Sequence, residues 1–96
     1  MADEVGLEFD WDESNLRHLA RHRISREEFE EAMTNDPVYL GFSDETGGDR
    51  WYVLGATSDL RVWYLVFTVR DQRVRPVTGW DAKKKLREMY FRQKGL

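Results

Sequence analysis

The sequence predicts one α+β domain with the element order β-α-α-β-β-β-β-α and a mostly antiparallel sheet packed by helices. Three observations predict it. Val62–Val69 is an unbroken run of aromatic, β-branched and aliphatic residues, typical of a central strand. Ser25 and Glu28 have the spacing of a helix capping box. A lysine-rich segment with a narrow apolar stripe follows Trp80. The domain is expected to span residues 1–96, with residues 1–6 disordered.

Composition excludes several classes of protein. There is no cysteine, which rules out disulfides and thiolate metal sites and favours a reducing compartment. No apolar run reaches membrane length, and the acidic N-terminus is unlike a signal peptide. We therefore expect a cytoplasmic protein without a membrane partner.

The charge is distributed unevenly along the chain. The net charge of −3 combines −10 in residues 1–49 with +7 in residues 50–96. Such asymmetry favours one surface suited to an anion and another suited to solvent or a basic partner. The alternative is that the two halves neutralise each other in the fold.

The first half is expected to form a strand and two helices. Residues 7–11 alternate apolar and acidic and predict a short strand. Asp12 is positioned to cap a helix whose apolar stripe is Leu16, Leu19 and Ala20. The second helix begins at the Ser25 capping box and ends near residues 35–37. Its glutamates are interpreted as a solvated face rather than a metal site.

The second half is expected to form four strands and a closing helix. The predicted strands cover residues 38–42, 50–57, 62–69 and 74–79, with a polar loop over residues 43–49. Pro76 cannot donate to a ladder, so the last strand is expected at an edge or to contain a bulge. Asp81 is the expected cap of a helix over residues 82–93, which Gly95 ends.

Basic and aromatic residues are interleaved in the second half and indicate an anionic partner. The set is Arg50, Trp51, Arg61, Trp63, Arg70, Arg73, Arg75, Trp80, Lys83, Lys84, Arg87 and Tyr90. Arginines bind phosphate through paired N–H groups, and aromatic rings stack on unpaired bases. The chemistry this favours is RNA cleavage by the RNA's own 2′-hydroxyl, with the cations gathered in one patch. The alternative is that the aromatics are core and the arginines solvate strand edges.

The order of short motifs resembles the BrnT family of toxins. The motifs are Phe9-Asp10-Trp11-Asp12-Glu13, Asn15-Leu16, His22, Ile24-Ser25-Arg26-Glu27-Glu28, Asn35-Asp36-Pro37, Arg50, Gly55, Arg61, Arg75-Pro76-Val77-Thr78, Glu88 and Tyr90. The resemblance implies a RelE-like fold and a metal-independent endoribonuclease that inhibits translation, with no cofactor. It also implies RNA as substrate, a BrnA-like antitoxin as partner, and either a homodimer or a hetero-oligomer with that antitoxin.

Site residues follow from the resemblance and from the basic-aromatic set together. The catalytic set is Arg61, Arg75, Thr78, Arg50 and Asp49. The substrate-binding set is Trp80, Lys83, Lys84, Arg73 and Tyr90. No metal ligand is predicted. Asp49, His22 and Tyr90 are the candidates for the general base, while both histidines also suit structural roles near a helix end.

The sequence departs from the family pattern at two places. Gly79-Trp80 stands where members usually carry Ala-Arg, and Arg23 stands where a glycine follows the helix-end histidine. A lost guanidinium removes a phosphate ligand, which leaves open a second interpretation: a catalytically inactive relative that binds protein or RNA without cleavage. A DNA-binding regulator is disfavoured because the second helix is acidic.

Overall fold

The computed structural model describes residues 7–45 and 48–96, so the expected disorder of residues 1–6 lies outside the described part. The helices are α1 (Glu13–Arg21), α2 (Arg26–Thr34) and α3 (Lys84–Lys94). The strands are β1 (Val38–Glu45), β2 (Gly48–Ala56), β3 (Val62–Arg70) and β4 (Arg73–Asp81). The predicted α+β class is confirmed. No helix in the described ranges is long and apolar enough to cross a membrane.

The four strands form one antiparallel sheet in the order β1-β2-β3-β4. The apolar run predicted as a central strand is β3, which pairs with β2 on one side and β4 on the other. The strand expected over residues 7–11 is reduced to one parallel bridge between Phe9 and Val74. Two backbone bonds hold it: Asp10 donates to the Val74 carbonyl (2.8 Å) and Val74 donates to that of Glu8 (2.9 Å).

Strand β4 confirms the expectation for Pro76. It is an edge strand of the four-stranded sheet, and its pairing with β3 shifts register where Val66 faces Thr78 and Phe67 faces Pro76. Val77 is therefore the extra residue of a bulge. The bulge lies where β4 meets α1.

The helix boundaries agree with the capping signals except at α3. Asp12 and Ser25 both form capping boxes, with Asn15 and Glu28 as the respective third residues. The expected cap at Asp81 is wrong, because Asp81 still pairs with Trp63 as the last residue of β4. Lys83 is the residue that precedes α3.

Two further expectations are corrected. The polar loop over residues 43–49 is largely strand, because β1 continues to Glu45 and β2 begins at Gly48. In α1 only Leu19 of the predicted stripe is buried, while Leu16 and Ala20 are exposed. The second buried residue of α1 is Asn15.

Helices cover both faces of the sheet, but unequally. On one face α1 and α2 enclose the larger core, built on Leu19, Phe29, Trp63, Leu65 and Phe67. On the other face α3 covers one end of β2 and β3, where Leu54, Val62 and Tyr90 are buried. Neighbouring residues along a strand point to opposite faces. Val74 and Trp51 pack into the larger core, so the side chains of their neighbours Arg75 and Arg50 leave the sheet on the opposite face, which is the face that α3 covers.

Candidate functional site

A cleft of about 200 Å³ opens between α1 and β4, at the edge of the sheet. On the helix side the lining residues are polar, and on the strand side they belong to the bulged part of β4. The lining residues are Ser14, Asn15, His18, Arg75, Pro76 and Val77. We call it the α1–β4 cleft.

Asn15 fixes the two walls of the cleft relative to each other. Its Nδ2 donates to the carbonyls of Asp10 (3.1 Å) and Pro76 (3.3 Å), and its Oδ1 accepts from the backbone N–H of Asp12 (2.9 Å). The side chain is only 6% exposed. A buried amide with three bonds to three segments joins the start of α1, the bridge segment and the bulge of β4.

His18 and Thr78 form the closest polar side-chain contact across α1 and β4 in the described residues. The Nε2 of His18 lies 3.0 Å from the Oγ1 of Thr78, and either atom can be the donor, depending on the tautomer. The bulge at Val77 brings Thr78 to this position. A hydroxyl held at Nε2 orients the imidazole and leaves Nδ1 without a partner among the described residues.

Arg75 is held in a fixed orientation at the mouth of the cleft by two carboxylates. Its Nη1 donates to Asp10 Oδ2 (3.3 Å) and its Nη2 to Asp12 Oδ2 (2.5 Å). The pKa of Asp12 is lowered, first by the backbone N–H of Asn15 and then by Arg75, and the pKa of Arg75 is raised by Asp12. The Arg75 side chain remains 26% exposed. The guanidinium has five N–H groups, so donors remain for an anion.

A cluster of aromatic rings lies beside the cleft, further along β4. Trp80 stacks on Tyr64 with centroids 5.0 Å apart and planes 12° apart. The ring of His22 lies 6.3 Å from that of Trp80 and 5.7 Å from that of His18. A second, more open depression of about 340 Å³ lies beside the cleft, on the His22 side of His18. It is lined by Arg21, His22, Arg23, Trp80 and Asp81, and we call it the Trp80 depression.

Comparison with known families agrees with this architecture. Residues 11–85 match the model of the ribonuclease toxin BrnT of type II toxin–antitoxin systems. The chain belongs to the BrnT family. The match includes every residue of the α1–β4 cleft and of the Trp80 depression. Membership in a type II system implies an antitoxin partner. A comparison with curated proteins found no match.

The structure separates the arginines that the sequence placed in one patch. Arg61 precedes β3, whereas Arg75 faces Thr68, seven residues and roughly 23 Å further along that strand. The Arg61 guanidinium lies 4.8 Å from the Trp63 ring centroid and pairs with Asp81 (3.3 Å) and Glu28 (3.9 Å). The expected single patch is therefore not formed in this BrnT chain.

Arg50 and Asp49 lie at the other end of the sheet from Arg61. Trp51 of β2 faces Phe67 of β3, which places Arg50 level with the pairing of Thr68 and Arg75. Two strand spacings, about 10 Å, separate Arg50 from β4. The Arg50 side chain donates to the backbone carbonyl of Asp49 (2.9 Å).

The remaining predicted residues lie outside the α1–β4 cleft. Arg73 pairs with Glu8 (3.3 Å) beyond the Arg75 end of the cleft. Lys83 and Lys84 are exposed at the start of α3. Tyr90, a candidate base in the sequence, is 3% exposed and packs in the core beneath α3. Of the predicted residues, the structure brings together Arg75, Thr78 and Trp80.

Sequence reasoning did not assign His18 and Asn15 to the site. A signal was present, because Ser14, His18 and His22 recur every four residues and share one face of α1. What the sequence did not show is that this face lies along the bulged edge strand. In the described residues, no group of three or more histidine or acidic side chains is placed to hold one metal ion.

Proposed function

We propose that this BrnT-family chain is a metal-independent endoribonuclease that inhibits translation by cleaving RNA in the α1–β4 cleft. The observation that carries the proposal is the contact of His18 Nε2 with Thr78 Oγ1 (3.0 Å) beside the anchored guanidinium of Arg75. Together they offer a proton acceptor, a hydroxyl that orients it and a cation for the phosphate. These are the groups that RNA cleavage by its own 2′-hydroxyl requires.

Each group has a role in that reaction. With Nε2–H of His18 donating to Thr78 Oγ1, the 2′-oxygen attacks phosphorus while its proton passes to Nδ1, the other ring nitrogen of His18. The bond from phosphorus to the 5′-oxygen breaks, the 5′-oxygen takes a proton from solvent water as it leaves, and a 2′,3′-cyclic phosphate remains. Arg75 stabilises the charge that develops on the non-bridging oxygens through the N–H groups that Asp10 and Asp12 leave unused. Thr78 keeps the imidazole oriented.

The other predicted residues are proposed to act around this centre. Trp80 contacts a base, while Arg50, Arg73, Lys83 and Lys84 attract the RNA backbone from the rim of the site. Arg61 is too far along the sheet to touch the phosphate in the α1–β4 cleft, so its contribution is to binding. Asp49 lies two strand spacings across the sheet from β4 and acts through its backbone carbonyl, which accepts from the Arg50 side chain. A BrnA-like antitoxin is proposed to cover the cleft and to carry the DNA-binding activity for autoregulation.

A second candidate function is favoured by the same ion pairs. Arg75 already has two carboxylate partners, and Trp80 occupies the position where the family usually carries an arginine. A chain that binds RNA or protein without cleavage fits these two facts. The two candidates differ in one measurable outcome, which is the appearance of cyclic-phosphate RNA fragments.

The test is cleavage of an unstructured RNA by the purified chain in the presence of EDTA. His18→Gln is expected to lower kcat by about 10²–10⁴-fold and Arg75→Gln by about 10²–10³-fold. Arg17→Gln is the matched control, because Arg17 neighbours His18 in the chain but pairs with Glu13 and does not line the cleft, and it is expected to keep wild-type activity. Thr78→Val is expected to lower kcat and Thr78→Ser to retain it. Intact RNA with the wild-type chain would leave the binding module as the function.

A further inference from the structure

The turn from α1 into α2 is a basic segment within the acidic half of the chain. All the arginines and lysines of residues 1–49 fall within residues 17–26, together with both histidines of the protein. The arginines are Arg17, Arg21, Arg23 and Arg26. The catalytic proposal uses none of them.

These arginines divide into two pairs by their contacts. Arg17 pairs with Glu13 (3.8 Å) and Arg26 with Glu30 (3.5 Å), each one turn away on its own helix. Within residues 7–45 and 48–96, neither Arg21 nor Arg23 forms an ion pair. Both line the Trp80 depression, where the acidic neighbour Asp81 is paired with Arg61. Two guanidinium groups at one depression thus lack a partner in the described structure.

The backbone at Arg23 is strained. Its φ is 62°, in the left-handed region that ends helices and that favours glycine. The turn is closed by bonds from Arg23 N–H to the Ala20 carbonyl (2.9 Å) and from Ile24 N–H to that of Leu19 (3.1 Å). Neither bond uses the arginine side chain. Glycine would adopt this conformation with less strain, so any favourable contribution of Arg23 comes from its side chain.

The Trp80 depression lies about one helical turn from the α1–β4 cleft. His18 borders the cleft and His22 borders the depression, one helical turn or about 6 Å further along α1. That rise suits the step from one nucleotide to the next in an extended strand. Trp80 is 37% exposed, which leaves part of the indole free beside the two arginines.

We propose that the Trp80 depression binds the nucleotide adjacent to the cleaved phosphate in single-stranded RNA. Arg21 and Arg23 hold the phosphate of that nucleotide and Trp80 contacts its base. The substrate is single-stranded because a base can reach an aromatic side chain only when it is unpaired. The inference rests on the proposed function, since the position of the cleft sets the position of the neighbouring nucleotide. RNA is favoured over an acidic protein segment because the ring of His22, which lines the depression, lies 5.7 Å from that of His18 in the reaction centre, within one nucleotide step.

The test separates binding from cleavage. The probe is a fluorescein-labelled unstructured RNA with methylated 2′-hydroxyls, which cannot be cut, and its anisotropy is measured from about 50 to about 200 mM KCl. Arg21→Gln/Arg23→Gln is compared with Arg17→Gln/Arg26→Gln, which removes the same charge from the same segment. The first pair is expected to weaken binding about tenfold at low salt and to lower the slope of log K against log[salt] by about 1.4. The control is expected to change both far less.

A single substitution distinguishes a binding role from a structural one. Arg23→Gly relieves the left-handed strain, so it is expected to raise the Tm while still weakening RNA binding. Equal effects of the two double variants, or unchanged RNA affinity in Arg23→Gly, would overturn the proposal. So would loss of antitoxin binding with RNA affinity intact, which would assign the depression to the protein partner. A chain that binds the methylated probe through Arg21 and Arg23 but leaves ordinary RNA intact would retain this subsite and reject the nuclease.

Discussion

Replacing Asn15 by alanine is expected to loosen the α1–β4 cleft and to destabilise the whole domain. The substitution deletes three side-chain hydrogen bonds, two of them to the carbonyls of Asp10 and Pro76. Asn15 is only 6% exposed, so water cannot readily replace its amide as the hydrogen-bond donor to these two carbonyls. At about 1 kcal/mol for each bond, the free energy of unfolding should fall by about 3 kcal/mol. That is a large part of the roughly 5–10 kcal/mol expected for a domain of this size.

The assay is urea unfolding at neutral pH, followed by tryptophan fluorescence. Ser14→Ala is the matched control: it is the preceding residue, it is exposed, and its side chain forms no hydrogen bond with the described residues. The control should stay within about 0.5 kcal/mol of the wild type. Asn15→Asp should be at least as damaging as Asn15→Ala, because it places a third oxygen beside two carbonyls. A loss below about 1 kcal/mol in Asn15→Ala would refute the role of this side chain as the tie between helix and strand.

Three other perturbations are expected to act through single contacts. Asp12 has a lowered pKa in the fold, so the stability it contributes is complete above its ordinary pKa of about 3.9 and is lost as the pH falls through the lower folded value. Asp12→Asn keeps the helix cap but cannot ionise. In a plot of the urea unfolding midpoint against pH, this variant should therefore show a smaller decrease at acid pH than the wild type. Gly55→Ala places a Cβ 3.0 Å from Ala32 Cβ and 3.1 Å from its carbonyl oxygen, and backbone cannot yield cheaply, so a loss of about 1–3 kcal/mol is expected in urea unfolding. In Gly79→Ala the Cβ meets Leu65 Cδ2 at 2.8 Å, Ile24 Cδ1 at 3.1 Å and the Tyr64 carbonyl oxygen at 3.2 Å. Because the two nearest atoms are side-chain ends, it should cost less than Gly55→Ala in the same assay; the reverse order would contradict the packing argument.

The predictions that survived are those set by local chemistry. The Ser25 capping box and the left-handed Gly95 at the end of α3 follow from which side chains can satisfy or permit a helix terminus. Pro76 lacks an N–H, which is enough to place it at an edge and to explain the adjoining bulge. The strand run Val62–Val69 is interior because bulky residues on both faces need cover from both sides.

The predictions that failed required knowledge of distant partners. Asp81 is a good cap by composition, but strand pairing with Trp63 continues through it, and the ladder takes precedence over the cap. Leu16 fits an apolar stripe, but α1 lies at the sheet edge and buries Asn15 and Leu19 instead. Arg61 directly precedes β3 and Arg75 lies on the adjacent strand β4, but antiparallel pairing places them at opposite ends of β3.

By itself the sequence determined the α+β class and the family, because each depends on residue types in a fixed order. The assignment of Arg75, Thr78 and Trp80 to the site stays a prediction. Only the tertiary structure placed His18 at 3.0 Å from Thr78 and Arg75 between two carboxylates. Those contacts join residues about sixty positions apart in the chain. Their distance is fixed by how α1 packs on a bulged edge strand, and no local pattern contains that information.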